Sequence, residues 1–184
     1  MNELNNKRVL IFVADLFEDM ELMYPKIRLK EAGAKVVVAG EEAGKEYSGK
    51  HGHPCVADEA LVNIRSGEYD ALVIPGGFAP DKLRRDKKVL DITRTFHETG
   101  KPLAYICHAG WVPISAGVVK GIKVTSTKAI RDDLVNAGAN WVDEPLVIDR
   151  NHITSRNPND LPHFCTGIIQ MMSEVPELQH QDLQ

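Results

Sequence analysis

Long apolar runs are missing from this 184-residue chain. The longest near the start, Val9 to Ala14, is six residues. That is too short for a signal-peptide core or a membrane span. Strong charge of one sign is also missing: 22 Lys and Arg stand against 26 Asp and Glu, a net −4, which argues against nucleic-acid binding. Three cysteines, far apart, are too few for a disulfide framework and fit a reducing cytoplasm. Nucleotide fingerprints fail as well. Gly44, Gly49 and Lys50 have phosphate-loop spacing, but His51 stands where a magnesium-binding hydroxyl belongs, and His51-Gly52-His53-Pro54 cannot open a helix. No G-x-G-x-x-G follows an expected strand, and there is no G-x-S-x-G elbow. What remains is an average globular mixture, 43% hydrophobic and 26% charged, at the length of one domain. The expectation is a soluble cytoplasmic domain over residues 1–184, with a polar, frayed tail at 175–184.

Short apolar runs alternate with amphipathic stretches. Arg8–Ala14, Lys35–Ala39, Ala71–Ile74 and Pro102–Ile106 read as strands buried on both faces. Asp19–Gly33 reads as a helix with Leu22, Ile27, Leu29 and Ala32 inward and Pro25 kinking it; Lys87–Thr99, Ala109–Ala116 and Ile130–Ala137 follow as helices. Glu41–His53 reads as a polar loop or a small excursion at the sheet edge, Lys123–Ser126 as a short strand, and Leu146–Asp149 with His152–Ser155 as a hairpin. A closing helix runs from about Asn159 to Met172. This alternation predicts a mostly parallel α/β sheet with helices on both faces and function beyond the carboxyl ends of the strands.

Cys107 ends the fourth buried strand, beside His108 and before Ala109-Gly110. A nucleophile there stands at the top of the sheet, and a following helix start favours its thiolate. The competing reading is a cysteine that merely fills core volume, which is the reading adopted for Cys55 and Cys165. Glu18 follows the first strand, near Asp15, Asp19 and Glu21. A buried carboxyl there stays protonated and donates to sulfur, or else Glu18 and Asp19 simply complement a helix N-terminus. Gly76 and Gly77 end the third strand, and their N–H groups can face an oxyanion as well as shape a turn, with the His108 N–H as a further backbone donor. His51, His53 and Cys55 alternate, but three ligands fall short of a closed zinc site, so no metal is expected.

Phe17-Glu18-Asp19-Met20-Glu21-Leu22, Gly49-Lys50-His51-Gly52, Pro75-Gly76-Gly77, Ile106-Cys107-His108 and Asp160-Leu161 follow one another in an order that resembles the PfpI-type intracellular protease/amidase family of the ThiJ/PfpI superfamily. The likeness runs from about Lys7 to Met172. It implies a flavodoxin-like three-layer sandwich of the class I glutamine-amidotransferase type, with Cys107 as nucleophile, His108 as base and Glu18 as the carboxyl that holds the thiolate. In that family an acidic residue shortly after the Gly-Gly turn reaches in from a neighbouring subunit to complete a triad. Here that residue is Asp81, one bond shorter than the family's Glu; otherwise Asp81 caps a helix near Lys82. Two further departures are Ala109-Gly110-Trp111 after the Cys-His, where Gly-Pro is common, and Tyr105 in place of a small residue. The likeness also implies homodimers or hexamers and no cofactor.

Two chemistries share this geometry. In amide or peptide hydrolysis the sulfur attacks a carbonyl and His108 protonates the leaving amine. In glyoxalase or deglycase chemistry it attacks an aldehyde carbon, and proton transfer leads to a hydroxy acid. The partner is then a small carbonyl compound or a peptide, with no membrane or nucleic acid. The reading outside catalysis is an oxidative-stress sensor, Cys107 passing to sulfenic or sulfinic acid, or a chaperone in which it is incidental.

Overall fold

The computed structural model describes residues 3–174. Its strands are β1 (Arg8–Phe12), β2 (Lys35–Gly40), β3 (Glu46–Ser48), β4 (Pro54–Val56), β5 (Glu59–Ala60), β6 (Ala71–Ile74), β7 (Leu103–Ile106), β8 (Lys123–Val124), β9 (Asn140–Trp141), β10 (Val147–Asp149) and β11 (His152–Ser155). Its helices are α1 (Asp19–Glu31), α2 (Ala79–Leu83), α3 (Lys87–Glu98), α4 (Trp111–Ala116), α5 (Arg131–Asn136) and α6 (Leu161–Glu174). The main sheet runs β10-β11-β7-β6-β1-β2-β5. Every pairing in it is parallel except β10 with β11, the hairpin expected from the sequence.

Each central strand is buried on both faces because its side chains alternate between two cores. Val9 and Ile11 of β1, Val73 of β6 and Ile106 of β7 meet Leu22 and Leu29 of α1 and Phe164 and Ile168 of α6. Their neighbours Leu10, Phe12, Leu72, Ile74 and Tyr105 meet Val89, Ile92 and Phe96 of α3 and Val112 of α4. The result is the expected flavodoxin-like sandwich, with helices on either side of one sheet. Among the described residues no helix is long and apolar enough to cross a membrane. The expected frayed tail, 175–184, lies outside the described residues.

Three local expectations need correction. Ile27, expected inward, is 62% exposed, because the buried row of α1 is Glu21, Leu22, Pro25 and Leu29. Of the two readings of the polar stretch after β2, the small excursion replaces the plain loop: β3 pairs antiparallel with β4. The strand expected at Lys123–Ser126 shrinks to β8, which pairs with β9 outside the main sheet.

One buried polar chain crosses the α3 side. The Tyr105 hydroxyl lies 2.9 Å from His152 Nδ1, and His152 Nε2 lies 2.8 Å from His97 Nδ1. Burial, reinforced by His97, pushes the His152 imidazole down to about 4. The unfolded chain, titrating near the ordinary value of about 6.5, binds this proton first as pH falls. The contribution of His152 to stability is therefore complete above about pH 6.5 and disappears as pH falls towards 4, by at most about 3 kcal/mol. Urea denaturation across that range should show this slope in the wild type, and a flatter one in His152→Gln.

Candidate active site

Cys107, the candidate nucleophile, sits where β7 breaks into a single 3₁₀ turn, Cys107–Gly110. Cys107 has φ 61°, in the left-handed region that costs a residue with a Cβ about 1–2 kcal/mol. This sharp turn lifts its side chain out of the strand's alternation and over the sheet edge. Gly76 makes room for it: a Cβ there would lie 2.7 Å from Cys107 Cβ and closer still to Glu21 Oε2. Gly77, at φ 80°, has no such room either, since a Cβ would meet the Leu16 carbonyl and Glu18 N at 2.5 Å.

The carboxyl beside the sulfur is Glu21, and the expectation for Glu18 is corrected accordingly. Glu18 is the N-cap of α1, accepts the Met20 N–H at 3.4 Å, and turns its carboxylate to Lys50 Nζ at 2.6 Å. Glu21, less than one turn further along, falls on the inward row with Leu22, Pro25 and Leu29 and is completely buried. Its Oε2 accepts the Gly76 N–H at 2.8 Å, and its carboxyl is coupled electrostatically to the Cys107 side chain. The other oxygen, Oε1, has no oxygen or nitrogen partner among the described residues. A proton on this carboxyl removes the charge that a half-partnered, fully buried carboxylate would otherwise carry.

The electrostatics favour this protonated form. Burial, opposed in part by the Gly76 N–H, pushes the Glu21 carboxyl up to about 8. Burial, and then the charge of an ionised Glu21, push the Cys107 thiol up to about 12, while the backbone N–H groups of His108 and Gly77 favour the thiolate. The pair resists losing both protons, so a neutral Glu21 is the condition for a negative sulfur. His108 Nδ1 lies 3.2 Å from Sγ. Burial, and then Lys50, lower the His108 imidazole below its ordinary value, which keeps it neutral and able to take a proton at neutral pH.

Lys50 is the residue that sequence reasoning passed over. It enters from the turn between β3 and β4, which Asp19 clamps by accepting the N–H groups of His51 at 3.0 Å and His53 at 2.9 Å. Burial would raise the Asp19 carboxyl, but those N–H donors outweigh it and hold it below the ordinary range. Glu18, Asp19 and His51 bring ligand atoms within 4.8 Å of one another, but Lys50 already occupies Glu18. His51 and His53 are exposed while Cys55 is buried, so that trio does not converge.

Two other expected roles are placed differently. The Gly76 N–H is committed to Glu21, which leaves Gly77 and His108 as the backbone donors facing the sulfur. Asp81 lies in the first turn of α2, which begins at Ala79 rather than near Lys82; it caps nothing and pairs with Arg85 within the same chain. Cys55 and Cys165 are free and buried, as expected.

Residues 7–171 match the DJ-1/PfpI family. The chain belongs to that family. It is 51% identical over 165 residues to a deglycase of Thermococcus kodakarensis, covering 90% of this chain and 99% of the relative. The deglycase PfpI of Pyrococcus furiosus is 46% identical over the same shares. Among solved structures, Drosophila melanogaster DJ-1beta superposes with a TM-score of 0.85 at 30% identity, covering 91% of each chain.

Proposed function

We propose that this DJ-1/PfpI protein is a cysteine-dependent deglycase, an enzyme that removes early adducts of small α-oxoaldehydes from amines and converts the aldehyde to a hydroxy acid. The observation that carries the reading is the buried Glu21 carboxyl, protonated at neutral pH, against the sulfur of a strained Cys107. Glu21 is then a donor and not a base, and the neutral His108 is the group left to move protons.

The steps balance without an external oxidant. His108 Nδ1 takes the thiol proton, and the sulfur bonds to the former aldehyde carbon as the amine leaves protonated. The N–H groups of Gly77 and His108 are the donors placed to hold an oxygen on that carbon. The proton on that carbon moves through His108 to the neighbouring carbonyl carbon while the hydroxyl proton passes to that carbonyl's oxygen, which turns the adduct into the thioester of a hydroxy acid. Water cleaves the thioester and restores the thiol. The aldehyde carbon is oxidised as its neighbour is reduced.

A peptidase reading asks more of the site. An unactivated amide needs a base oriented by a third group, and the one acidic candidate, Asp81, is held on Arg85 within its own chain. A second protomer would have to supply it. Two substrates separate the readings: the methylglyoxal hemiaminal of N-acetyl-lysine, and a peptide anilide. Faster loss of the hemiaminal with free amine regenerated, and no anilide cleavage, is the expected result. Anilide cleavage without any effect on the hemiaminal overturns the deglycase reading.

A further inference from the structure

The reacting histidine is backed by a side chain to which the mechanism above gives no role. The 3₁₀ turn at Cys107–Gly110 has about three residues per turn, so side chains three apart eclipse, and Trp111 comes to lie over His108. Their ring centroids are 5.3 Å apart, with the planes tilted by 57°. The indole is itself fixed from two other elements. Its Nε1 donates to Asp133 Oδ2 of α5 at 2.9 Å, and the Arg84 guanidinium lies 5.7 Å from its ring centre. Arg84 is tied in turn, its Nε donating to Ser115 Oγ of α4 at 2.8 Å. A short chain of contacts therefore runs from α5 and from Arg84, just past the end of α2, through Trp111 to His108 and ends at the sulfur, 3.2 Å from His108 Nδ1.

We propose that Trp111 is a positioning residue: clamped by Asp133 and Arg84, it holds the His108 imidazole against Cys107 in the orientation that proton transfer requires. An imidazole joined to the chain next to its own partner sulfur has little else to choose its rotamer, since adjacent residues do not face one another by default. The indole covers one side of the ring, so swinging His108 away from sulfur exposes both rings to water and forfeits an aromatic contact. The substrate need not touch Trp111 for this to matter, because a small misalignment of a proton-transfer group is felt directly in turnover. The proposal rests on the deglycase reading for its kinetic consequence but not for its structural one.

Three variants test it: Trp111→Ala, Trp111→Phe and, on the exposed face of α5, Asp133→Ala, which leaves the indole in place without its anchor. Histidine NMR, with His108 assigned from His108→Gln, follows its titration and tautomer, and steady-state kinetics on the hemiaminal follow turnover. In Trp111→Ala the His108 titration should rise towards the ordinary value of about 6.5, and kcat should fall about three- to tenfold with KM within about twofold. Asp133→Ala should shift both in the same direction by less, and Trp111→Phe should restore most of the wild-type behaviour. A His108 titration and tautomer unchanged in both Trp111→Ala and Asp133→Ala overturns the proposal. Absence of hemiaminal turnover in the wild type would refute the deglycase reading alone, since the NMR titration still decides what Trp111 does.

Discussion

Alanine or serine at Cys107 is expected to lower the rate of amine release from the glycated substrate by roughly 10³-fold or more, to the level of the uncatalysed reaction. Nothing else at the site can form the bond to carbon: Glu21 is buried and protonated, and Lys50 is engaged with Glu18. Serine keeps the shape but not the chemistry, because a hydroxyl is far less acidic than a thiol and the one base in contact, His108, has a lowered pKa. Initial rates with and without enzyme measure the effect, and a melting curve close to that of the wild type assigns it to chemistry and not to unfolding. A residual rate within tenfold of the wild type would mean that carbon is attacked elsewhere.

The second large effect concerns stability, and it has the opposite sign from the functional one. The Glu21 carboxyl is raised to about 8 in the fold, against an ordinary 4.5. As pH rises from 4.5, the unfolded chain gives up this proton while the folded chain keeps it, so stability falls until about pH 8 and is level beyond. The full interval amounts to at most about 5 kcal/mol. Glutamine at this position keeps an oxygen for the Gly76 N–H and offers an N–H to the sulfur, yet never ionises. Glu21→Gln is therefore expected to be more stable than the wild type at pH 8 by several kcal/mol, and nearly equal to it below pH 5. It should also alkylate Cys107 at lower pH, because the like charge is gone. Denaturant titrations at both pH values measure the first effect and iodoacetamide kinetics the second. A stability difference independent of pH would show that Glu21 is ionised in the fold. With the predicted pH-dependent difference, the site is one where function is maintained at a cost in stability.

The sheet was legible in the sequence because its central strands are continuous apolar runs, and Ala71–Ile74 is ended by Pro75-Gly76-Gly77 in the chain as it is in the fold. Cys107 was legible for the same reason: a polar, reactive residue at the point where such a run stops. The carboxyl was not, since choosing between Glu18 and Glu21 requires the phase of α1. The inward row Glu21, Leu22, Pro25 and Leu29 carries that phase, but a proline within it and an apolar but exposed Ile27 blur the pattern. Lys50 could not be placed at all from local sequence. It reaches Glu18 only because β3 pairs with β4 and Asp19, more than thirty positions away, clamps their turn. The strand expected at Lys123–Ser126 failed for a related reason: its apolar content is short, and whether such a segment joins the main sheet is decided by tertiary packing.

The most direct test of Cys107-dependent aldehyde chemistry is lactate production from methylglyoxal in the absence of glutathione, by the wild type and by Cys107→Ala in parallel. Lactate formed in step with methylglyoxal consumed, by the wild type alone, is the predicted result. No lactate from the wild type, or equal lactate from both proteins, would contradict it.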